Sequence, residues 1–369
     1  MSMDQNANRE AIMLLTAGLG SLDKREVKPL TTREYGRLAR WLIDREMQPS
    51  ELMQGIPSGW QDKKITHSRL ETLLDRGLAL GMAIDEWERA GLWVLTRADK
   101  EYPRRLKKKK LLRDQGPPIL YGCGNRRLLN QGLPSIAVVG SRNASEEDLE
   151  FTQDLGKRVA DQGYTVVSGG ARGVDQSAMF GALEHEGTVI GVLANNLLRA
   201  AVSSDYRGHI ESDNLVLVSH TPPEARFRVW NAMARNDYIY CLAGAAVAIC
   251  STPNKGGTWA GAVKNLDKGW VPLWLKRNTD PKSGNSHLQR KGGHWLPEGA
   301  FRVDTLLNPV KEPSHGDEPA KPVRPAPQGG HALESSEGNV AVKSGLGSGI
   351  DAGRQGDAGS SSTASLSGG

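Results

Sequence analysis

The feature that most constrains the fold of this chain is the alternation of short apolar runs with helical stretches from about residue 135 onward. Six apolar runs have the length of strands, at 136–139, 165–167, 188–193, 215–218, 245–249 and 271–275. Helical stretches separate most of them, at roughly 147–161, 174–186, 226–241 and 258–268. Continuous apolar strands that alternate with helices are typical of a parallel sheet with helices on both faces. The sequence therefore predicts an α/β fold built on a doubly wound parallel sheet.

The chain divides into three predicted regions. Residues 1–95 carry apolar side chains at helical spacing, so a small helical domain is expected there. Residues 96–306 hold the alternating α/β pattern, within which the polar segment 278–298 is predicted to be a loop. Residues 307–369 are rich in Pro, Gly and Ser and lack the apolar residues that offset the entropy of ordering, which predicts a disordered tail.

Composition limits the classes of compartment and partner. The chain has 369 residues, no apolar run long enough to span a membrane, no secretory signal and only three isolated cysteines, which predicts a cytoplasmic protein without disulfides or membrane contact. No metal-binding motif is visible, so no metal or cofactor is predicted. The formal charge of +5 divides into +7 on residues 1–306 and −2 on the tail, which modestly favours an anionic partner.

Three glycine-containing loops follow predicted strands, at the edge of the sheet where such folds bind ligands. The first loop is residues 140–145 (GSRNAS), the second is 168–173 (SGGARG) and the third is 254–258 (NKGGT). Glycine lets the backbone approach an anion closely, and the helix after each loop presents free N–H groups with partial positive charge. A tight turn explains one such loop as well as a ligand does. Three loops that each carry Arg or Lys instead favour a phosphate-lined groove.

Other charged residues have two interpretations each. Asp175, just after the second loop, is expected to cap the following helix or to orient Arg172. Arg235 and Asn236 interrupt an apolar helix, either as a solvated edge or as side chains directed at the groove. The basic run 107–110 is either a solvated face or an accessory contact with a nucleic-acid backbone.

Standard catalytic and nucleotide motifs are missing from the chain. The first loop is not part of a GxGxxG fingerprint, and neither GxxxxGK[ST] nor HExxH occurs. The eight histidines are scattered, and no Ser/His/Asp arrangement is visible in the order of residues. The sequence therefore shows none of these standard sites, while a triad assembled in space from distant residues stays open.

A resemblance to a known family is carried by stretches that occur in a fixed order. They are Tyr102-Pro103-x-x-Leu106, 117–125 (PPILYGCGN), 136–142 (IAVVGSR), 168–175 (SGGARGVD), 187–193 (GTVIGVL), Ser219-x-x-Pro222-Pro223, Arg235-Asn236 and Gly256-Gly257-Thr258. In this order and spacing the chain resembles the DNA-processing protein A (DprA/Smf) family over about residues 90–275. The helix after the second loop has Met179 where the family usually has His, so the chain is similar to a divergent member.

The resemblance implies an extended Rossmann-like domain, preceded by a small helical domain, that binds single-stranded DNA without catalysis. It also implies a place in DNA recombination or natural transformation, where such proteins protect incoming DNA and assist a RecA-type recombinase, often as homodimers. By the resemblance, the first and second loops and the Arg235-Asn236 pair line a positive pocket. With the third loop added, the predicted phosphate-binding residues are Ser141, Arg142, Ser168, Gly169, Gly170, Arg172, Gly173, Arg235, Asn236, Lys255, Gly256, Gly257 and Thr258.

Other functions stay open for this fold. The chain is also similar to the LOG-type nucleotide phosphoribohydrolases, but it has Gly261 where their catalytic Glu stands, so hydrolysis by that route lacks its acid/base group. A small-nucleotide sensor needs phosphate binding but no hydrolysis, and a scaffold that acts through partners needs neither phosphate binding nor hydrolysis. Single-stranded DNA requires aromatic rings for base stacking, and the candidates are Tyr206, Phe227, Trp230 and Trp259.

Overall fold

The computed structural model describes residues 3–23, 27–112, 115–132, 134–278 and 280–309. The tail that the sequence predicts to be disordered lies outside the described residues from position 310 onward and stays a prediction. Among the helices that are described, none combines the length and the apolar character needed to cross a membrane.

The N-terminal region is helical. Its α-helices are α1 (Met3–Thr16), α2 (Thr32–Ile43), α3 (His67–Leu74) and α4 (Gly77–Arg89). Helix α2 begins at a capping box, in which the Thr31 hydroxyl accepts from the Glu34 backbone N–H at 3.3 Å and the Glu34 carboxylate accepts from the Thr31 N–H at 2.8 Å. Helices α1, α2 and α3 share a core that includes Leu38, Leu70 and Trp60, while α1 and α4 pack on the sheet. The domain boundary near residue 95 stays a prediction.

Nine strands form one sheet within the described part of the chain. They are β1 (Leu92–Thr96), β2 (Ile119–Gly124), β3 (Ser135–Val139), β4 (Thr165–Ser168), β5 (Val189–Leu193), β6 (Leu215–Ser219), β7 (Ala245–Ala248), β8 (Leu273–Leu275) and β9 (His294–Trp295). Their order is β1-β2-β6-β5-β4-β3-β7-β8-β9. The pairs β1–β2 and β2–β6 are antiparallel and the remaining pairs are parallel. The predicted α/β fold with a mostly parallel sheet is confirmed.

Helices cover both faces of this sheet. After β1 they are α5 (Arg104–Lys107), α6 (Lys109–Leu112), α7 (Glu146–Asp161), α8 (Val174–Leu183), α9 (Leu197–Ala201), α10 (Ser204–Glu211), α11 (Val229–Leu242), α12 (Gly256–Lys268) and α13 (Gly284–Arg290). Short 3-10 turns occur at Gly20–Leu22, Pro49–Met53, Arg126–Leu129 and Val303–Leu306. One face packs on α7, α8 and α10 and the other on α5, α11, α12 and α13, so strands such as β3 are buried along their whole length. This double burial is why the strand sequences are continuous apolar runs.

The prediction of a loop over 278–298 is wrong, because this segment contains α13 and β9. The reason is visible at Asn285, which is buried and whose amide donates to the backbone carbonyls of Ala248, Ile249 and Lys276 at 3.3, 2.8 and 3.0 Å. The polar side chains here satisfy internal backbone groups instead of facing water. Ser283 caps α13 by accepting from the Ser286 N–H at 3.2 Å.

The strand order creates a topological switch point beside β3. The chain runs from β3 outward through β4, β5 and β6, and it then returns to place β7 on the other side of β3. Since β4, β3 and β7 are parallel neighbours, their carboxyl ends lie together at one edge. In open α/β sheets, the crevice at such a point is the usual ligand site.

Candidate functional site

The three glycine-containing loops leave these neighbouring strands and are bonded to one another. The Val174 N–H, at the end of the second loop, donates to the Ser141 carbonyl of the first loop at 3.3 Å. The Thr258 hydroxyl, just inside α12, donates to the Gly140 carbonyl at 2.8 Å. Gly173 has φ 88°, and a Cβ there would lie 2.7 Å from the Ser141 carbonyl oxygen, so only glycine lets the first two loops approach this closely.

Several of the predicted phosphate-binding side chains are already engaged inside the protein. The Ser168 hydroxyl is buried and donates to the Val138 carbonyl at 2.7 Å, so its side chain is directed into the sheet. The Asn236 amide donates to the Gly257 carbonyl at 3.2 Å. Asn236 and Thr258 thus fix the position of the third loop, of which Lys255, Gly256, Gly257 and Thr258 line the switch-point hollow.

Exposed cations stand on each loop. Arg142 lies with its guanidinium carbon 5.0 Å from the centre of the Phe227 ring. Arg172 donates to the Asn143 side-chain oxygen at 3.2 Å, and Lys255 immediately precedes α12. Because all three cations are at the surface, they can meet an anion without first leaving a buried partner.

Arg235 has a different environment, because it is buried against Asp175. Their side chains are 6% and 9% exposed, and the guanidinium Nη1 donates to the carboxylate at 3.3 Å. Burial raises the pKa of Asp175, and the Arg235 guanidinium opposes that shift. The side chain of Asp175 therefore pairs with Arg235 instead of Arg172, and it also accepts from the Ala171 N–H in the second loop, as a residue that orients this turn would. Gly169 makes room for the pair, as a Cβ there would lie 1.3 Å from Arg235 Nη1.

Two hollows at this edge of the sheet form one groove. The outer hollow, about 690 Å³, is lined by the second loop, by the loop after β5 and by α10. The switch-point hollow, about 580 Å³, lies between the first and third loops. The residues that line both hollows are Arg142, Asn143, Ala171, Phe227 and Arg235. The Arg142–Phe227 pair thus stands where the two hollows meet.

An exposed aromatic and basic segment borders the groove at residues 226–230 (RFRVW). Phe227 is 45% and Trp230 is 65% exposed, and Arg228 lies over the Trp230 ring with its guanidinium carbon 5.4 Å from the ring centre. The other two aromatic candidates, Tyr206 and Trp259, are buried. Two of the four predicted stacking residues therefore have free ring surface.

The basic segment that begins at residue 104 lies elsewhere. Arg105 donates to the backbone carbonyls of Cys241, at 2.8 Å, and of Ala243, at the C-terminal end of α11 and therefore at the opposite edge of the sheet from the groove. Lys107 donates to the Asp99 carbonyl at 2.9 Å. The side chains of residues 109 and 110 are outside the description. Arg105 and Lys107 thus complete backbone hydrogen bonds rather than extending the groove, while Arg104 and Lys108 are exposed.

The residues at this edge offer few catalytic groups. Gly261 lies in the second turn of α12, where a Cβ would be 3.1 Å from the Tyr240 ring, and no carboxylate occupies that position. Asp175, the carboxylate that lines the switch-point hollow, is paired with Arg235. Within the described ranges, no group of three His, Cys, Asp or Glu side chains could hold a metal ion.

Sequence reasoning missed one wall of the groove. Asn195, Asn196 and Arg199 line the outer hollow, on the loop after β5 and on the helix that follows it. The signal was present, because an Asn pair directly follows the apolar run of β5 and so lies at the same carboxyl edge as the three loops.

A doubly wound sheet with a glycine-lined, cationic groove at its switch point defines the class of this protein as Rossmann-like, a class in which such grooves commonly bind phosphates. Residues 93–304, more than half of the chain, match the family model described as DNA recombination-mediator protein A, and the chain belongs to this family. The resemblance seen in the sequence is confirmed.

The relatives of this chain include proteins of DNA processing. The chain is 26% identical over 181 residues to the DNA processing protein DprA of Bacillus subtilis, a match that covers 48% of this chain and 59% of that protein. It is 30% identical over 208 residues to a putative DNA processing protein DprA of Mycobacterium tuberculosis, covering 55% and 52%. The chain thus spans somewhat more than half the length of these relatives.

A solved structure shares the fold. The X-ray structure of DNA processing protein A from Streptococcus pneumoniae superposes with a TM-score of 0.56 at 18% identity, over 72% of this chain and 90% of that one. This similarity supports the extended Rossmann-like architecture.

Proposed function

We propose that this chain binds single-stranded DNA in the groove and performs no chemistry on it. In this proposal the phosphates contact Arg142, Arg172 and Lys255 together with free backbone N–H groups of the glycine-containing loops. The bases stack on Phe227 and Trp230. The family, whose members are named for DNA processing and recombination, is consistent with such a partner.

The observation that carries the proposal is the Arg142–Phe227 pair at the junction of the two hollows. It places a cation over a ring that is 45% exposed. Single strands offer charged phosphates and free base faces together, whereas a duplex keeps its base faces stacked inside. A groove that presents both features at one point suits the single strand.

The two alternatives have less support. A nucleotide sensor needs one enclosed phosphate site, but here the cations are spread over two hollows and continue outside them along residues 226–230. A phosphoribohydrolase needs a carboxylate where Gly261 packs against Tyr240. An extended strand uses the whole surface, and a mononucleotide does not.

The biological setting of the proposal follows from the resemblance. It comprises recombination or the uptake of foreign DNA, in the cytoplasm, with a RecA-type recombinase as partner and a homodimer as the working form. Each of these stays a prediction that DNA binding by itself would not decide. Mixing the purified chain with a recombinase, with and without a single-stranded oligonucleotide, tests the partner directly.

The test of binding is a fluorescence-polarisation titration with a labelled dT12 oligonucleotide at several salt concentrations. Wild-type affinity should fall steeply as salt rises, because phosphate contacts release counterions. The Arg142→Ala/Arg172→Ala double variant should bind about tenfold more weakly or worse and show a shallower salt dependence. Addition of a matched duplex should compete poorly.

The control is Arg89→Ala/Arg302→Ala, which removes two exposed cations away from the groove and so makes the same change in net charge. It should bind as the wild type does. If the two double variants weaken binding equally, affinity comes from net charge and the groove is not the site. If the wild type does not bind dT12 at low salt, the proposed function is wrong.

A further inference from the structure

One exposed apolar segment of the described chain is only partly covered by the groove. Phe227, Val229, Trp230 and Met233 are 45%, 65%, 65% and 39% exposed, and the last three lie in the first two turns of α11. Phe227 and Val229 line the hollows of the groove, whereas Trp230 lines neither of them. A cluster of large apolar side chains at the surface indicates a site of interaction. The groove therefore leaves part of this site, including its largest ring, uncovered.

A third hollow continues from the groove at this point. It has a volume of about 700 Å³ and lies between the N-terminal helices α1 and α2 and the helices α11 and α12, and we call it the N-terminal cleft. Met233 lines both the switch-point hollow and the N-terminal cleft, and Trp230 lines the cleft. The N-terminal region packs closely on the loop after β6, since a Cβ on Gly18 would lie 2.6 Å from the Pro222 ring. The cleft thus extends the groove toward the N-terminal helices.

The charged side chains of the N-terminal cleft favour an anionic occupant. Arg33, in the first turn of α2, is exposed and makes no ion pair with a described residue. In the described part of the chain, Asp237 is the only carboxylate on this wall, and Lys264 neutralises it through an ion pair. Uncharged hydrogen-bonding side chains on the wall include those of Thr31, Thr32, Gln115 and Asn231. An unpaired cation and an exposed ring on one hollow are the combination on which single strands bind, whereas a basic protein segment would meet Arg33 with like charge.

We propose that the strand held in the groove continues over Met233 and Trp230 into the N-terminal cleft, where a base stacks on Trp230 and a phosphate contacts Arg33. This inference rests on the proposed function and adds the N-terminal helical region to the DNA interface. The residues shared between neighbouring hollows set the order of contacts along the strand. From the outer hollow the strand passes the Arg142–Phe227 pair, then Met233 and Trp230, and it reaches Arg33 last. A strand too short to leave the groove does not touch the N-terminal region.

The test measures the salt dependence of binding to dT20 and to dT6 by fluorescence polarisation. The short strand occupies the groove, where most of the cations lie, and only the long strand reaches the N-terminal cleft. Arg33→Ala should weaken dT20 binding about threefold and reduce the slope of log affinity against log salt by about 0.7, the value of one phosphate contact. It should leave dT6 binding unchanged. When Trp230→Ala is already present, Arg33→Ala should have a smaller effect on dT20, because a strand that does not stack on Trp230 is no longer directed to Arg33.

The matched control is Arg37→Ala, which removes a cation from the same helix, where Arg37 pairs with Asp62 at 2.9 Å and does not line the cleft. It should keep the wild-type slope with dT20. Equal slopes for Arg33→Ala, Arg37→Ala and the wild type would overturn the inference while leaving the proposed function intact. Dimerisation of the free chain in sedimentation velocity that Trp230→Ala abolishes would also overturn it, by making a second copy the occupant of the apolar segment. Failure of the wild type to bind either strand would instead contradict the proposed function.

Discussion

Two basic segments of the chain, residues 104–107 (RRLK) and 226–230 (RFRVW), use their cations in opposite ways. In the first, Arg105 donates to two backbone carbonyls at the C-terminal end of α11, and Lys107 donates to a third carbonyl. In the second, every side chain is exposed, and Arg228 lies over the exposed Trp230 ring. A basic run is therefore a candidate interface for nucleic acid only where its cations are not already bonded to the backbone of the protein itself.

Two arginines of the groove differ in the same way, because Arg235 is buried and bound to another residue of the protein whereas Arg142 is exposed. This difference gives the largest expected effect on stability. Arg235→Ala leaves the Asp175 carboxylate buried without its partner and should lower the free energy of unfolding by about 3–5 kcal/mol. Arg142→Ala removes an exposed cation and should change it by less than about 0.5 kcal/mol. Urea unfolding monitored by tryptophan fluorescence measures both.

The Arg235→Met/Asp175→Leu double variant is the control, because it removes both buried charges at once. It should be more stable than Arg235→Ala. If Arg235→Ala and Arg142→Ala unfold at the same urea concentration, the division between buried and exposed arginines is wrong.

His220 is a buried titratable residue, so its effect on stability can be tested by changing the pH. Burial, with a further contribution from Arg235, lowers the pKa of His220 from 6.5 to about 4. Between these values the unfolded chain binds a proton that the folded chain does not, so the free energy of unfolding should decrease as pH falls from 6.5 to 4. The decrease is at most about 3 kcal/mol, and it is absent above pH 7.

Carboxylates also titrate in this range, so the measurement is the difference between variants. Urea unfolding at pH values from 7 to 4 should show a shallower dependence for His220→Gln than for the wild type. His209→Gln, which changes the histidine on α10, serves as the control for the loss of one histidine. If the free energy of unfolding depends on pH in the same way for His220→Gln and the wild type, the pKa of His220 does not differ between the folded and unfolded protein.

Arg105→Ala removes the hydrogen bonds that the first basic segment makes with the backbone of α11. The loss of its hydrogen bonds to the end of α11 should lower the free energy of unfolding by about 1.5–3 kcal/mol. Its affinity for dT12, measured where the variant is fully folded, should stay within twofold of the wild type. A large loss of affinity without a loss of stability would place this segment in the DNA interface.

Phe227→Ala and Trp230→Ala each remove one exposed aromatic ring from the second segment. Each should weaken dT12 binding by about 1–3 kcal/mol, the range found for base–aromatic stacking, with little effect on stability or salt dependence. Phe301→Ala is matched to them, because Phe301 also carries an arginine over its ring, Arg158 at 4.7 Å, but does not line the groove. If Phe301→Ala weakens binding as much, stacking at residues 226–230 is not specific.

The sheet could be predicted because burial on both faces demands apolar residues at every position. The run 165–167 became β4 and the run 245–249 became β7, each within one residue of the predicted ends. The α13 helix could not be predicted. Asn285 donates to buried carbonyls, but in the sequence a buried Asn cannot be told apart from an Asn in a solvent-exposed loop. The local hydrophobic pattern therefore predicts which residues are buried, but it does not predict which group a polar side chain binds.

The candidate site divides in the same way. The meeting of the three loops at one edge follows from the rule for parallel strands, and the sequence contains all that this rule needs. The roles of single side chains do not follow, because they depend on residues far along the chain. Ser168 is directed into the sheet by a carbonyl 30 residues away in sequence, and Asp175 is bound to Arg235, 60 residues away.

The smallest expected effect compares the two ends of one helix. Lys255 precedes α12 at the groove, and Lys268 lies in its last turn, at the opposite edge of the sheet. Both side chains are exposed, so their removal makes the same change in net charge. Lys255→Ala should reduce the slope of log affinity against log salt by about 0.7, the value of one phosphate contact with a single strand.

Lys268→Ala should leave that slope unchanged, because no phosphate held in the groove reaches the far end of α12. Polarisation titrations of dT12 at four or more salt concentrations resolve the difference. Equal slopes for the two variants would mean that the third loop holds no phosphate, which would confine the strand to the outer hollow and the Arg142–Phe227 junction. A reduced slope for Lys268→Ala alone would place the strand on the opposite edge and reverse the comparison between the two basic segments.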